Sequence, residues 1–350
     1  MFQDISLEKW RELKNRSGLT TIDVRSPSEY RLATIPGSIN IPLFDDEERA
    51  EVGTIYKQVS VEAAKERGLE IVSAKLPAFI KQFAQIKGDK TVFCWRGGMR
   101  SRTTATVLSL MGISAHRLNG GYRTYRQWVV DQLETFAFQP RALVLQGNTG
   151  CGKTEILRRL KDKGLPILDL EGMAGHRGSI FGGIGMQSHN QKMFEGLLVE
   201  QLLEMQSSSY VAIEGESKRI GKVVLPDFII DKKLSGISVI IELPLEERVK
   251  TIIEDYKPWD NPEACLEAFQ RIRSRIHTPI AHEIQACLEA EKYEAAVEML
   301  LCFYYDPRYE HSSKQYETEE SYTVRASTVS EAYSRVEHIF TSLQPLAGTR

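Results

Sequence analysis

Residues 142–154, ALVLQGNTGCGKT, decide the architecture of the larger part of the chain. The short apolar run from Ala142 to Gln146 reads as a buried strand, and helix-forming sequence starts at Lys153. Between them Gly147, Asn148, Thr149, Gly150, Cys151, Gly152, Lys153 and Thr154 satisfy Gly-x-x-x-x-Gly-Lys-Thr in full, in the strand-to-helix setting that the motif needs. Backbone N–H groups and the helix N-terminus of such a loop bind a polyphosphate. Lys153 would reach the outer oxygens, and the Thr154 hydroxyl is a candidate Mg²⁺ ligand. The motif shows phosphate binding, not ATP hydrolysis. Cys151 contributes its backbone to this loop more than its sulfur.

Working outward, PILDLE (166–171), YVAIEGE (210–216) and ISVIIELP (237–244) read as further strands, with a glycine-rich stretch GHRGSIFGGIG (175–185) among them. Strands alternating with helices predict an α/β fold with a parallel sheet. From about Leu245 to Leu301 the pattern is helical, and SYTVRA (321–326) and a last helix close the chain. Acids at the ends of parallel strands lie on the ligand edge of such a sheet, which makes Asp169 and Glu171 on one strand, and Glu214 and Glu216 on another, candidates for holding a metal's water shell. Helix capping or loop solvation is the alternative for each.

Upstream, TTIDV (20–24), TVFC (91–94) and AHRL (115–118) alternate with helical sequence and predict a separate parallel α/β domain. Val72, Leu76, Phe79, Ile80 and Phe83 recur at helical spacing and predict a helix packed on that sheet. The pattern breaks between Thr135 and Pro140, so the expected domains are 1–138 and 139–350, the second with a helical C-terminal region.

Cys94 ends one of these strands and opens a loop of Trp95, Arg96, Gly97, Gly98, Met99 and Arg100 before helical sequence resumes. The glycines let the backbone curl so that N–H groups converge, and Arg96, Arg100 and Arg102 add positive charge. Such surroundings lower a thiol pKa and cradle an anionic group on the sulfur, which marks Cys94 as a nucleophile. A buried strand-end cysteine is the bland reading; it leaves the glycines and arginines unexplained. For Cys265, Cys287 and Cys302, which lie on helical sequence without such neighbours, the bland reading holds.

Five scattered cysteines give no disulfide framework and no zinc spacing. A net charge of −2 argues against a generic polyanion binder and neither proves nor excludes RNA, so any nucleic-acid contact has to come from local patches. Arg271, Arg273 and Arg275, with His277, form the densest one, with Arg271 and Arg275 on one expected helical face; Lys218, Arg219 and Lys222, and Tyr56 with Lys57, are others. Each alternatively is a solvated surface. The charged start and the absence of a long apolar run predict a cytoplasmic protein without a membrane span.

The Cys94-to-Arg100 spacing also fits a phosphatase loop, but IDVRSPSEY (22–30), IPGSINIPL (35–43), the cysteine loop and LNGGYRTYRQW (118–128) resemble the rhodanese domain from end to end. The six-residue loop is the size that rhodaneses use to carry persulfide. Ala33-Thr34 departs from the Gly-His of many rhodaneses, and Asp23 with Arg25 reads as a buried structural pair. With the P-loop domain behind it, and with VGTIYKQVS (52–60), DLEGMAGHRGS (169–179), IEGESKRIG (213–221) and YYDPRY (304–309), the chain resembles the tRNA 2-selenouridine synthase family. That resemblance implies a transferase with Cys94 as catalytic residue, selenophosphate from selenophosphate synthetase as selenium donor, and tRNA carrying wobble 2-thiouridine as substrate. It also implies geranylation from geranyl diphosphate, with no bound organic cofactor. Phe181, Ile184 and Met186 are candidates to face the prenyl chain, with core packing as the alternative. The rival readings are a sulfurtransferase fused to a P-loop kinase or NTPase, and a sulfur-delivery module with a nucleotide-sensing P-loop.

Overall fold

The computed structural model describes residues 2–16, 18–313 and 320–343. The chain divides into two units, Met1–Phe136 with Glu195–Val199, and Ala137–Phe194 with Glu200–Arg350. Both are α/β with parallel sheets, as the strand–helix alternation predicts.

In the first unit β1 (Gln3–Ile5), β2 (Thr20–Asp23), β3 (Ile39–Asn40), β4 (Lys90–Phe93) and β5 (His116–Leu118) form a sheet in the order β1-β5-β4-β2-β3. Every pairing is parallel. Between β3 and β4 run two helices, Asp46–Gln58 and Val61–Ala84. Asp45 caps the first through a reciprocal box with Glu48, and Ser60 caps the second. Val72, Phe79 and Phe83 of the second helix are buried against Ile22, Val24 and Val92, with Leu76 at the edge of the cluster. The burial of these residues follows from their spacing of three, four and seven.

In the second unit β6 (Arg141–Gln146), β7 (Ile167–Leu168), β8 (Tyr210–Glu214), β11 (Ile237–Glu242) and β12 (Ser321–Arg325) form a parallel sheet ordered β12-β11-β6-β8-β7, while β9 (Arg219–Ile220) and β10 (Val223–Val224) pair as a small antiparallel hairpin. The central β6 therefore delivers residues 147–154 to the carboxyl edge of the sheet, next to the end of β8. Leu143 and Leu145 of β6 pack with Ile156 and Leu160 of helix Lys153–Asp162 and with Val336 and Phe340 of the last helix. The helical region builds its own core from Phe269, Ile272, Ile284, Leu288, Ala296 and Leu300.

The structure departs from the sequence expectation at short elements. PILDLE contributes a strand of only two residues, because Asp169 caps a helix, Leu170–Ala174, at once. Glu171 thus sits in the first turn of a helix and not at a strand end. The two- and three-residue strands β1, β3, β9 and β10 are too short to show a period-two pattern, and the sequence reading does not anticipate them.

Candidate functional site

Cys94 follows β4 directly and is 3% exposed, with Sγ 3.2 Å from the Ser101 hydroxyl. The loop after it is clamped by LNGGYR: the N–H groups of Tyr122 and Arg123 donate to the carbonyls of Cys94 and Trp95, both at 2.9 Å. That approach requires Gly121, at φ +61°, where a Cβ would stand 2.1 Å from the Cys94 carbonyl oxygen. Gly97, at φ +63°, is equally fixed, because a Cβ there would meet the Gly120 nitrogen at 2.9 Å. Gly98 is not: it faces open space with a φ of −85°. Only one of the two loop glycines is conformationally required.

The arginines also divide. Arg100 is held by Glu29 in two contacts, 2.5 and 3.2 Å, so its guanidinium braces the loop. Burial opposes the Arg100 cation, while Glu29 outweighs burial and leaves it above the usual arginine range. Arg117, from β5, donates to the Gly97 carbonyl and pairs with Asp4. Arg96 and Arg102 are exposed. Asp23 and Arg25 form the expected buried pair at 2.6 Å, and the Thr34 hydroxyl donates to Asp23 at 2.9 Å. The Ala33-Thr34 departure therefore belongs to this structural network, since Arg25 also donates to the Ala33 carbonyl.

In the second unit the P-loop glycines have specific causes. A Cβ on Gly147 (φ +139°) would meet the Ile241 carbonyl at 2.4 Å, and one on Gly150 (φ +85°) the Arg248 carbonyl at 2.8 Å. Cys151 is buried in the sheet core, and its Sγ accepts from Lys153 Nζ at 3.8 Å. Lys153 Nζ donates to the Gly147 carbonyl at 2.8 Å. Burial opposes its charge, but Cys151, Glu216, Tyr309 and Glu171 outweigh burial and hold the ammonium above the ordinary lysine range.

Three residues outside the motif brace this loop. Arg248 donates from Nε to the Thr149 carbonyl at 2.9 Å and pairs with Asp306 through both terminal nitrogens, at 2.9 and 2.6 Å. Asn148 donates to the same Asp306 carboxylate at 3.1 Å, and the Gly147 N–H donates to the Tyr309 hydroxyl at 2.6 Å. Asp306 and Tyr309 lie in YYDPRY, the one sequence signal that pointed to them. Nothing local marks Arg248, a helical arginine among other charged residues.

The four acidic candidates separate by role. Asp169 is a helix cap, accepting from the Gly172 N–H at 2.7 Å. Glu171 is buried, and its Oε2 accepts from the Thr154 hydroxyl at 3.1 Å. Glu214, at the end of β8, is 1% exposed, and neither of its carboxylate oxygens has a hydrogen-bond partner among the described residues. Burial first, then neighbouring carboxylates, push both groups up: Glu214 and Glu216 act on Glu171, and Glu216 and Asp169 act on Glu214. Gly178 (φ +65°) lets the glycine-rich stretch close over them, since a Cβ there would meet Glu216 at 2.4 Å and Glu171 at 2.7 Å. Buried Lys233, which sequence reasoning missed, donates to the Glu216 carbonyl, and burial pushes it down to about 8.

A divalent cation fits this chemistry. Among the described residues no group of three His, Cys, Asp or Glu side chains could hold a metal alone. Thr154 and the orphaned Glu214 carboxylate, completed by phosphate oxygens of a ligand, form the mixed set that Mg²⁺ prefers.

The expected RNA cluster takes a different form. Helix Pro262–Gln270 stops before Arg271, and Arg273–Arg275 is a 3₁₀ turn. Arg271 and Arg275 therefore do not share a helical face. Ile272 and Ile276 are buried in the helical core and turn Arg271 and Arg275 outward, both exposed, while Arg273 lies 3.4 Å from His282 Nδ1. Lys218 is paired with Asp227 at 2.5 Å.

The chain thus carries a thiol loop in one α/β unit and a braced P-loop in the other. Residues 6–127 match the Rhodanese-like domain family, and residues 140–266 match the family described as tRNA 2-selenouridine synthase AAA domain. The chain is similar to proteins named tRNA 2-selenouridine synthase from Nitrosomonas europaea, at 34% identity over 80% of this chain and 75% of that one, and from Bdellovibrio bacteriovorus, at 32% over 85% and 90%. A third, from Hydrogenovibrio crunogenus, is 34% identical over 87% of this chain and 91% of its own. The chain belongs to the tRNA 2-selenouridine synthase family.

Proposed function

We propose that this chain replaces the sulfur of wobble 2-thiouridine in tRNA with selenium, through an S-geranyl intermediate. The observation that carries this reading is relatedness over most of the chain to proteins named for that product. Thione sulfur leaves poorly from C2, and alkylation turns it into a thiolate leaving group. In the first step the sulfur attacks the allylic carbon of geranyl diphosphate, the C–O bond breaks, and diphosphate departs with the electron pair while N3 loses its proton. The P-loop N–H groups and Lys153 take up the charge of that diphosphate. Mg²⁺, when held by Thr154 and Glu214, would neutralise further phosphate charge. The geometry supports a diphosphate here because the Lys153 ammonium is built into the loop and the unpartnered Glu214 carboxylate could take up the cation that would accompany the phosphates.

In the second step the Cys94 thiolate attacks the phosphorus of selenophosphate and the P–Se bond breaks; the hydrogen selenide released attacks C2, the C2–S bond breaks to release geranyl thiolate, and water cleaves the S-phosphocysteine to return the Cys94 thiol and phosphate. Selenophosphate and water together supply selenide and phosphate, so no oxidant or reductant is consumed and neither step needs ATP. We place the reaction in the cytoplasm, with selenophosphate synthetase upstream; among the described residues no helix is long and apolar enough to cross a membrane. Nucleoside analysis of tRNA from cells with and without the gene tests the whole reading. 2-Selenouridine should vanish and 2-thiouridine accumulate on deletion, whereas unchanged 2-selenouridine would refute it.

Arg271, Arg273 and Arg275 are assigned to tRNA phosphates in this reading, because two of them project freely to solvent beside a third. Replacing all three with alanine should weaken tRNA binding and lower the slope of log Kd against log salt by about 2, at roughly 0.7 to 0.9 per lost phosphate contact. A slope unchanged from the parent protein would return the cluster to plain solvated surface.

A further inference from the structure

Beside the P-loop the second unit contains a cavity that phosphate binding does not use. Counted out to its open mouth, it holds ≈ 570 Å³ of empty space. Its wall is almost wholly apolar side chain, from the helices Leu245–Tyr256 and Tyr293–Leu300 and from the segment that follows them. One P-loop residue, Thr149, belongs to that wall.

Two segments tie the cavity to the phosphate site. Residues 301–309 turn Leu301 and Tyr305 into the cavity wall and place Asp306 and Tyr309 on the P-loop residues Asn148 and Gly147. In the glycine-rich stretch Gly178 lies against Glu171 and Glu216, and the next residue, Ser179, enters the wall. A charged cradle and an apolar chamber thus share a border, the arrangement that an amphiphile with a phosphorylated head requires.

The wall is poorly equipped for a nucleobase, which presents several donors and acceptors. Ser179 and Tyr256 satisfy each other at 2.8 Å, and a single phenol, Tyr293, is without a hydrogen-bond partner among the described residues. We propose that this cavity is the hydrocarbon subsite of the P-loop site, taking the prenyl chain of an allylic diphosphate, and that its depth sets the chain length accepted. The proposal rests on the reading that the P-loop holds a prenyl diphosphate. It replaces the sequence-based candidates in part: Phe181 lines the cavity, Ile184 instead packs on Cys265 and Ala268, and Met186 is not in the wall.

The test is calorimetric binding of inorganic pyrophosphate, dimethylallyl diphosphate, geranyl diphosphate and farnesyl diphosphate to the full chain with Mg²⁺. At about fourfold in affinity per buried CH₂, geranyl diphosphate should bind the parent protein more than about tenfold tighter than pyrophosphate. Val297→Trp, which fills the cavity from its helical wall, should erase that advantage and leave pyrophosphate affinity within about twofold, since the head-group contacts are untouched. Leu301→Ala, which cannot overpack, should shift the preference toward the longer farnesyl chain. If the parent protein favours geranyl diphosphate over pyrophosphate and both variants keep the parental order of chain lengths, the chain lies elsewhere and the subsite is wrong, while the proposed function stands. If the parent protein binds geranyl diphosphate no better than pyrophosphate but binds ATP tightly, the prenyl reading falls and the subsite with it.

Discussion

Cys94→Ser is expected to abolish selenium insertion while leaving a folded protein that still alkylates 2-thiouridine. The substitution is nearly isosteric, and the loop is held by backbone contacts from Tyr122 and Arg123 and by the Arg100–Glu29 pair, none of which uses the sulfur. The hydroxyl brought into this buried position finds a partner in the Ser101 hydroxyl, so thermal unfolding should shift by only a few degrees. A serine hydroxyl is a far weaker nucleophile than a thiol unless a base activates it, and the hydrogen-bond partner at this position is the Ser101 hydroxyl, which is not a base. Loss of a nucleophile of this kind lowers turnover by at least about a thousandfold. Alkylation needs no selenium carrier and should continue. Full 2-selenouridine formation by the Ser variant in a purified reaction would remove Cys94 from the chemistry, and loss of both activities with the fold intact would mean that the two steps share the thiol.

Lys153→Ala is expected to produce the reciprocal defect. Lys153 is the cation most closely built into the phosphate loop, tied back to the Gly147 carbonyl and surrounded by groups that keep it charged. Removing one preorganised donor to a developing negative charge costs about 10² to 10³ in rate, so geranylation should fall by that factor. Selenation of tRNA supplied already geranylated should persist, because the Cys94 loop is unaltered. Wild-type rates of geranylation by this variant would take the diphosphate away from the P-loop.

Both loops were legible in the sequence as strand-to-helix turns because each is a run of consecutive residues: eight from Gly147 to Thr154, and eight from Cys94 to Ser101. What holds them was not, since the partners are remote along the chain. Glu29 reaches Arg100 across 71 residues, and Asp306 and Tyr309 reach Asn148 and Gly147 across 158 and 162. Spacing rules act only within a helix or strand and give no register between such segments. The same limit explains Asp169 and the arginine cluster. Local sequence cannot say whether an acid after a short strand prolongs the strand or caps a helix, and Ile272 and Ile276 set the direction of Arg271 and Arg275 only through a core formed by other helices. Glu214 was legible as a strand-end acid, but its burial without a hydrogen-bond partner emerges only from the packing of the sheet. The apolar cavity draws its wall from residues between 149 and 305, so no single stretch of sequence announces it.

The most direct test of the account is a time course with the purified chain, tRNA bearing wobble 2-thiouridine, geranyl diphosphate, selenophosphate and Mg²⁺, without ATP, read by nucleoside mass spectrometry. The account predicts that S-geranyl-2-thiouridine rises first and decays as 2-selenouridine appears, and that omitting geranyl diphosphate stops both. Formation of 2-selenouridine at an undiminished rate without geranyl diphosphate, or only when ATP is added, would contradict it.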